Sequence, residues 1–339
     1  MTVSYEAAAT APVRSSAQVP AKPGLRPGQL LKIGVTLGLS AYVLWKVGLG
    51  DSIATLGTAT WGWVALAACS ALFAMVLNVR RWQMMLAGQG GAAPMPTLIR
   101  LYLVAMFFNN VLPSRFGGDV VRAYGASIRL TTKTRSAAAV IMDRLIGAIS
   151  VLLLGVIAVT LNPTVVPLQL GELLVAGLVV GVAVVGLLLA RSPRLGSAWG
   201  LLAHVERVPL VGRKIRPRVE AAGEAIRSYA HRRPLIAGAL AVSMVANGLS
   251  IVNIYLYSLA VGADITLAQA AVVTPVVLAV ALLPISLNGL GTTELTFVLL
   301  FGAMGVPAEV ALAIGILRRL VLLGQSLIGG VLYSARRFG

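Results

Sequence analysis

Eight apolar runs separated by short polar stretches constrain the fold of this 339-residue chain more than any other feature. A helix needs roughly 20 apolar residues to cross the hydrocarbon core of a bilayer. Hydrophobic residues make up 58% of the chain and charged residues only 12%, more apolar surface than a water-soluble core of this length requires. The sequence therefore predicts an all-α polytopic membrane protein with about eight transmembrane helices. The predicted spans are Leu30–Leu49, Trp61–Val79, Ala138–Leu161, Leu173–Ala190, Leu235–Val261, Leu267–Leu283, Glu294–Met304 and Val310–Tyr333.

The charged residues lie mainly between these runs, and most of them are basic. The formal net charge of +17 would suit a nucleic acid, but Lys and Arg placed between apolar runs are typical of cytoplasmic loops. We therefore expect no nucleic-acid partner. The polar residues 1–29 predict a disordered cytoplasmic tail, and residues 30–335 predict a single transmembrane domain.

The same distribution of basic residues predicts the orientation of the chain. Residues 191–233 form a long basic loop, and the positive-inside rule then places this loop and both termini in the cytoplasm. Within the loop, Arg216–Ala230 predicts an amphipathic helix, either at the lipid headgroups or packed on the protein's own cytoplasmic face. The predicted external loops contain no Lys or Arg and lie near Asp51, Glu172, Asp264 and Glu309.

Two apolar stretches are short and end in a similar interruption. Leu98–Leu112 is followed by Pro113 and the Gly117-Gly118-Asp119 sequence, and Leu283-Pro284 is followed by glycines and Glu294. Pro and Gly destabilise helices, and unwound backbone cannot face lipid without unmatched amides. We therefore expect residues 98–119 and 267–304 to form re-entrant broken segments, which belong to an inverted repeat. If 267–304 is a hairpin that enters from outside, Leu267–Leu283 and Glu294–Met304 are not crossings, and both termini remain on the same side. The alternative is two ordinary loops with Pro-Gly turns.

Ionisable residues inside apolar runs are energetically costly and usually functional. Asp143 and Arg144 lie a turn or so into one predicted span. Arg318 and Arg319 lie near the middle of the last span. Adjacent residues point about 100° apart on a helix, so Arg318 and Arg319 need two partners, or one partner and a water-filled cavity. Lys46 and the Arg80-Arg81 pair are instead expected at the membrane interfaces.

Arginines outnumber carboxylates around the interruptions, and an anionic ligand would balance the surplus charge. Phosphate suits arginine because the guanidinium fork binds two oxygens at once. The alternative is that the charges only pin helices together, through Asp143 with Arg144 and through Glu294 with a neighbouring arginine. The candidate substrate-binding residues are Asn109, Asn110, Arg115, Asp119, Arg122, Asp143, Arg144, Ser286, Asn288, Glu294, Arg318 and Arg319.

These motifs resemble the membrane region of the lysylphosphatidylglycerol synthase and flippase-like family over about Leu30–Tyr333. The residues that carry the resemblance are Phe107–Pro113, Gly117-Gly118-Asp119, Arg122, Asp143–Gly147, Pro284–Glu294 and Arg318. The resemblance implies a bacterial cytoplasmic (inner) membrane protein like the flippase half of the multiple peptide resistance factor, which moves aminoacylated phosphatidylglycerol between leaflets. Asp143 stands where members often have Glu. The sequence stops at Gly339 before any aminoacyl-transferase domain, so we expect no lysyl transfer.

Residues and resemblance together predict a lipid translocase for an anionic or phosphate-bearing lipid, either aminoacylated or isoprenoid-related. We expect no enzymatic activity, no cofactor and no metal, and the sequence leaves an oligomer possible. It contains no Gly-x-x-x-x-Gly-Lys-Ser/Thr loop for ATP. The alternatives are an intramembrane enzyme acting on a lipid or polyprenyl phosphate, and a membrane scaffold without transport activity.

Overall fold

The chain is helical throughout the part that a computed structural model describes, which confirms the predicted fold class. That part comprises residues 27–47, 49–91, 93–111, 117–129, 131–165, 172, 176–177, 179–180, 228–229, 232–283 and 285–335. The predicted amphipathic helix Arg216–Ala230 lies almost entirely outside these residues, as does most of the predicted span Leu173–Ala190. The predicted tail lies outside them up to residue 26, and the first helix begins at Pro27.

Ten α-helices and one short 3₁₀ turn make up the described residues, and we number the helices in chain order. Large apolar side chains such as Trp45 and Leu161 are exposed on them, as expected where lipid is the solvent. The helices are α1 (Pro27–Val47), α2 (Leu49–Gly57), α3 (Trp61–Gly88), α4 (Met95–Val111), α5 (Gly117–Arg129), α6 (Lys133–Leu161), α7 (Arg233–Ala260), α8 (Leu267–Leu282), α9 (Thr292–Ala303) and α10 (Ala308–Ser334), and the 3₁₀ turn is Leu287–Gly289.

Four helices are long and apolar enough to cross a bilayer alone, namely α3, α6, α7 and α10. Each has 27 to 29 residues, which corresponds to about 40 Å at 1.5 Å per residue. The helices α4 and α8 have 17 and 16 residues, about 25 Å at 1.5 Å per residue, and are too short to cross the hydrocarbon core of about 30 Å. Each of them is followed by an interruption and a still shorter helix.

The eight helices from α3 to α10 form two halves with the same succession of lengths. The helices α3 to α6 have 28, 17, 13 and 29 residues, and α7 to α10 have 28, 16, 12 and 27. The halves also pack reciprocally, because α4 contacts α10 while α8 contacts α6. Each short helix after the first long helix of one half thus contacts the last long helix of the other half. Such reciprocal contacts indicate that a pseudo-twofold axis relates the halves.

The helices α3 and α7 lie side by side and run in opposite directions. Early in α7, Gly238 faces Met84 near the end of α3. At the opposite end, the Thr60 amide that precedes α3 donates to the Ala260 carbonyl at 2.8 Å. Because these two helices hold equivalent places in their halves, the pseudo-twofold axis is perpendicular to them. The halves therefore have opposite orientations, which is the arrangement of an inverted repeat.

The helices α4 and α5, on either side of the first interruption, pack antiparallel as a helical hairpin. Gly118 lies against Asn109 and Gly125 lies against Leu101, a pairing in which the residue number rises on one helix as it falls on the other. A Cβ atom on Gly118 would lie 2.2 Å from the Ala105 carbonyl oxygen, so only glycine allows this approach. The Gly118 amide also donates to Asn109 Oδ1 at 2.8 Å, which satisfies a free amide at the start of α5.

Candidate functional site

Five charged side chains from α3, α5 and α6 form a group that we call the first ionic cluster: Arg81, Asp119, Arg122, Asp143 and Arg144. The first four are buried, and the side chain of Arg144 is 39% exposed. Asp143 accepts hydrogen bonds from Arg81 Nε at 2.7 Å and from Arg122 Nη1 at 3.1 Å. Asp119 accepts from Arg122 Nη2 at 2.8 Å and from Arg144 Nε at 2.9 Å. Three guanidinium groups therefore share two carboxylates, and the cluster keeps one unit of positive charge.

Burial explains why the charges in the first ionic cluster are paired so fully. The side chains of Asp143 and Arg122 are 2% and 4% exposed, and an unpaired charge there would cost several kcal/mol in lost hydration. The Arg122 guanidinium also lies over the rings of Trp82 and Tyr102, with 5.2 and 5.1 Å to the ring centroids. These cation–π contacts add stabilisation to the ion pairs.

Two predictions about these charges are wrong. Arg81 does not anchor α3 at the membrane interface, because its side chain points inward to Asp143 while the adjacent Arg80 is exposed. Neighbouring positions on a helix point about 100° apart, so one arginine faces the core and the other faces outward. Asp143 and Arg144 do not pair with each other for the same reason, and Arg144 binds Asp119 instead. The prediction for Lys46 concerns a side chain outside the described part.

Glu294 and Arg319 form a second ionic cluster at the other interruption. Arg319 Nη2 donates to Glu294 Oε1 at 2.8 Å, and both side chains are largely buried. The Gly291 amide donates to Glu294 Oε2 at 2.8 Å, so this carboxylate also caps the start of α9. Arg319 reaches the unwound chain as well, because its Nη1 donates to the Asn288 carbonyl at 3.1 Å. The carboxylate thus connects the start of α9 with the middle of α10.

The second interruption has a backbone that helices cannot adopt. Asn288 has a φ of 49°, and Gly289 and Gly291 have φ of 74° and 79°. The left-handed region is open to glycine and is tolerated by asparagine, whose side chain can hydrogen-bond locally. Ser286 and Thr292 share a hydrogen bond of 2.9 Å across the same turn. These residues end α8 and redirect the chain into α9.

The second interruption contacts the last turn of α4, next to the first interruption. Asn288 Nδ2 in the second interruption donates a hydrogen bond to Asn110 Oδ1 at the end of α4. The two asparagines also line a small space of about 130 Å³ together with Arg319. Segments that are far apart in the sequence, and that belong to halves of opposite orientation, are therefore in direct contact.

The two ion pairs that border the interruptions occupy equivalent places. Asp119 and Glu294 are each the third residue of the short helix that follows an interruption. Arg144 and Arg319 are each the twelfth residue of the next long helix. In both halves the carboxylate and its arginine are 25 positions apart in the sequence. In both halves, therefore, an ion pair connects the short helix to the long helix that follows it.

A cavity of about 250 Å³, lined by polar and apolar side chains in similar number, lies between the two halves. Equivalent residues line it in pairs: Asn78 and Ser250 are each the eighteenth residue of α3 and α7, and Tyr102 and Thr274 are each the eighth residue of α4 and α8. The cavity thus lies on the pseudo-twofold axis. Its other polar lining residues are Asn247, Asn253, Tyr257, Arg318 and Gln325.

A chain of hydrogen bonds joins the first ionic cluster to this cavity. Arg81 Nη1 donates to Ser243 Oγ at 2.6 Å, and Ser243 Oγ lies 2.6 Å from Ser150 Oγ. The amide of the cavity residue Asn247 donates to Ser150 Oγ at 2.5 Å. A change at the cavity wall can therefore reach the ion pairs of the first half through polar contacts.

Arg318 lines the cavity and differs from its neighbour Arg319. Within the described residues, Arg319 has a carboxylate partner, whereas Arg318 forms no ion pair and no hydrogen bond. Its electrostatic neighbours are Arg319, Glu294 and Tyr257. Glu294 is already bound by Arg319 and by the Gly291 amide. The sequence allowed either two partners for the two arginines or one partner and a cavity. The structure shows the second case, with a partner for Arg319 and a cavity beside Arg318.

The structure separates the predicted site residues into three groups. Arg318 contacts the cavity, and Asn109, Asn110 and Asn288 lie in the adjoining space near the tips. Arg115 lies outside the described residues. The remaining predicted residues form the ion pairs and the turns, as expected if charges pin helices, and one of them, Arg319, also lines the adjoining space: Asp119, Arg122, Asp143, Arg144, Ser286, Glu294 and Arg319.

Sequence reasoning missed the neutral polar residues that line the cavity. Asn78, Asn247 and Asn253 lie within predicted apolar spans, and an amide side chain inside such a span is the signal that could have identified them. In the described ranges, no group of three or more His, Cys, Asp or Glu side chains is arranged to hold a metal ion.

Fold and site together define a multi-pass helical membrane protein with two interrupted segments that meet beside a polar cavity. A family model for the lysylphosphatidylglycerol synthase transmembrane region matches residues 29–329. The chain belongs to this family, which confirms the resemblance seen in the sequence. The family is membrane-associated and related to lipid metabolism or flipping.

Two similar proteins match this chain over most of its length and most of their own. A UPF0104 membrane protein of Pyrococcus horikoshii is 25% identical over 327 residues, which cover 91% of this chain and 96% of the relative. A UPF0104 membrane protein of Methanothermobacter thermautotrophicus is 26% identical over 307 residues, which cover 86% of this chain and 90% of the relative. The similarity therefore extends over nearly the whole transmembrane region, consistent with a stand-alone member of the family.

Proposed function

We propose that the protein is a lipid translocase that moves an anionic or phosphate-bearing lipid between leaflets. The observation that carries this proposal is the meeting of the two interruptions, through Asn110 and Asn288, beside a polar cavity on the pseudo-twofold axis. Substrate sites of transporters with inverted repeats lie in this place, near the membrane midplane and at the interface of the repeats. The membrane lipid is the proposed partner.

The cavity fits a lipid headgroup better than a whole lipid. A volume of about 250 Å³ holds roughly eight waters at about 30 Å³ each, so acyl chains remain outside in the bilayer. The polar lining replaces the hydration that a headgroup loses when it leaves the membrane surface. Exposed apolar residues on the outer helices, such as Leu327 and Val331, supply a surface along which acyl chains can pass.

The two ionic clusters suit a mechanism in which the halves move as units. Each cluster ties a short helix to the long helix of its own half, through Asp119–Arg144 and through Glu294–Arg319. By contrast, the contact that the described residues show between the end of α4 and the second interruption is a neutral hydrogen bond, which is weaker than an ion pair with a carboxylate. Rocking of one half against the other would break the tip contact and keep both clusters, so the cavity would open to one side at a time.

We further propose that the protein lies in the bacterial cytoplasmic membrane with both termini in the cytoplasm, as the basic loop 191–233 indicates. Replacement of Cys69 by Ser removes the natural thiol and allows single cysteines to report accessibility. With a membrane-impermeant maleimide on whole cells, Asp264→Cys should be labelled and Ser197→Cys should not. The reverse pattern would overturn the orientation.

Reconstitution of the full chain into vesicles tests the proposed function. Phosphatidylglycerol with a fluorescent acyl chain is placed in both leaflets, and dithionite then bleaches the outer leaflet. A translocase makes the inner pool accessible, so bleaching approaches completion, whereas protein-free vesicles stop at about half. Mass spectrometry of the recovered lipid separates the alternatives: an enzyme changes the lipid mass, and a scaffold changes neither mass nor leaflet. Bleaching that stops at half with the folded protein present would overturn the proposal.

A further inference from the structure

The charged residues at one pair of equivalent positions have opposite signs. Asp143 is the eleventh residue of α6, and Arg318 is the eleventh residue of α10. The next residues, Arg144 and Arg319, are equivalent arginines that both bind a carboxylate. The two halves are therefore correctly aligned at these positions. Asp143 in the first half truly corresponds to Arg318 in the second half.

The partners of Asp143 are also replaced in the second half. Arg81, the twenty-first residue of α3, corresponds to Asn253 in α7. Arg122, the sixth residue of α5, corresponds to Phe297 in α9. Asn253 and Phe297 both line the cavity beside Arg318. Where the first half has a carboxylate bound by two guanidinium groups, the second half has a guanidinium group bordered by neutral side chains and open space.

Two buried polar atoms in the cavity wall lack partners. Asn253 Oδ1 and Gln325 Nε2 form no hydrogen bond, although their residues are only 7% and 5% exposed. A buried polar group without a partner costs about 1–3 kcal/mol. One of these atoms is an acceptor and the other is a donor, so a ligand that satisfies both must offer a hydrogen-bond donor as well as an acceptor, and a hydroxyl-bearing headgroup offers both.

The residues that line the cavity include no carboxylate among those the structure describes, and Arg318 is their sole charge. We propose, building on the proposed function, that Arg318 binds the single phosphate of a monoanionic phospholipid whose headgroup is a small, neutral, hydroxyl-bearing group. The phosphate neutralises Arg318 in the second half, as the guanidinium groups of Arg81 and Arg122 neutralise Asp143 in the first half. An ammonium on the headgroup meets no counter-charge in this cavity, so aminoacylated and ethanolamine headgroups are disfavoured.

The test measures headgroup selection with the full chain in phosphatidylcholine nanodiscs. Each sample contains the same small fraction of phosphatidylglycerol, lysylphosphatidylglycerol or phosphatidylethanolamine, and native mass spectrometry counts the lipid retained by the protein. We expect phosphatidylglycerol to be retained at least about tenfold more than either amine-bearing lipid. Equal or stronger retention of an amine-bearing lipid would overturn the assignment, and this comparison needs no variant.

The variant Arg318→Gln should lower phosphatidylglycerol retention by roughly 10- to 100-fold, the range expected for loss of a charge-assisted hydrogen bond. Arg80→Gln is the matched control, because Arg80 is exposed and lies outside the cavity and both clusters. Retention that is unchanged in Arg318→Gln would also overturn the assignment. Soluble glycerol 3-phosphate at millimolar concentration should not displace the lipid, and displacement would show that the ligand is a free phosphate ester.

The proposed function and this inference fail in different ways. If the bleaching assay shows no leaflet exchange while Arg318-dependent retention of phosphatidylglycerol persists, the translocase proposal fails and the binding assignment stands. If the protein exchanges all three lipids equally and Arg318→Gln has no effect, the translocase stands and the binding assignment fails.

Discussion

Asn288 Nδ2 donates a hydrogen bond to Asn110 Oδ1, and this bond joins the two interruptions of the transmembrane region. The same Asn288 accepts a hydrogen bond from Arg319 through its backbone carbonyl. The contact between the hairpin tips is therefore connected to the second ionic cluster, and through Glu294 to the start of α9. A movement that separates the tips must act on the segment that holds Arg319.

The tip contact should appear as energetic coupling between Asn110 and Asn288. We expect Asn110→Ala and Asn288→Gly each to destabilise the folded protein by about 0.5–1.5 kcal/mol, because each removes the same hydrogen bond. Glycine is used at position 288 because it keeps the left-handed backbone. In a double-mutant cycle measured by denaturant unfolding in detergent, the double variant should lose less than the sum. Full additivity would show that the side chains do not interact.

Glu294→Gln should abolish lipid exchange while the protein remains folded in detergent. The substitution removes the charge that neutralises Arg319 and leaves two adjacent cations, Arg318 and Arg319, in the same helix. Breaking a buried ion pair costs about 3–5 kcal/mol, which shifts the resting arrangement of the hairpins. Glu309→Gln is the matched control, because Glu309 lies in the first turn of α10, away from the cavity and both clusters. Normal bleaching kinetics with Glu294→Gln would remove this carboxylate from the mechanism.

Arg318→Ala should also abolish lipid exchange, for a different reason. Arg318 fastens no helix among the described residues, so its loss should leave the melting temperature within a few degrees of that of the natural protein. The cavity would then lack the one positive charge among its described lining residues. The bleaching assay and a thermal melt in detergent are measured on the same sample, with Arg80→Ala as the control. A large fall in melting temperature would mean that Arg318 supports the fold.

Gly118→Ala should destabilise the first hairpin. The added Cβ would lie 2.2 Å from the Ala105 carbonyl, and backbone atoms on both sides must move to relieve that overlap. Overpacking of this kind costs about 1–3 kcal/mol or more. Gly302→Ala is a suitable comparison, because Gly302 lies in α9 with nothing within 4 Å of its added Cβ, so alanine there should be neutral or stabilising. Thermal melts of the two variants would contradict this prediction if they were alike.

A charge exchange should convert the second half into a copy of the first. Arg318→Asp alone places an uncompensated carboxylate at the cavity wall, and we expect it to destabilise the protein. Adding Asn253→Arg restores the pairing that Asp143 has with Arg81, so the double variant should recover much of the stability. It should nevertheless retain no phosphatidylglycerol in the nanodisc measurement, because the anion site is gone. Retention by the folded double variant would contradict the prediction.

The sequence alone was sufficient for the helical membrane class and for the interruptions that follow α4 and α8, although it did not predict α2 and α5 as helices. These depend on local properties: apolar length, the loss of a backbone donor at proline, and the weak helix propensity of glycine. The carboxylate that follows each interruption could also be predicted, since Asp119 and Glu294 stand directly after the glycines.

Only the tertiary structure decided which charges pair and which face the cavity. Arg80 and Arg81 are identical neighbours in the sequence, as are Arg318 and Arg319, and the pitch of the helix sends each member of a pair to a different environment. The partners come from helices that are distant in the chain, as Arg81 with Asp143 and Asn110 with Asn288 show. Whether an arginine forms an ion pair or lines the cavity depends on which side chains of other helices lie opposite it. The spacing of residues within one helix does not contain that information.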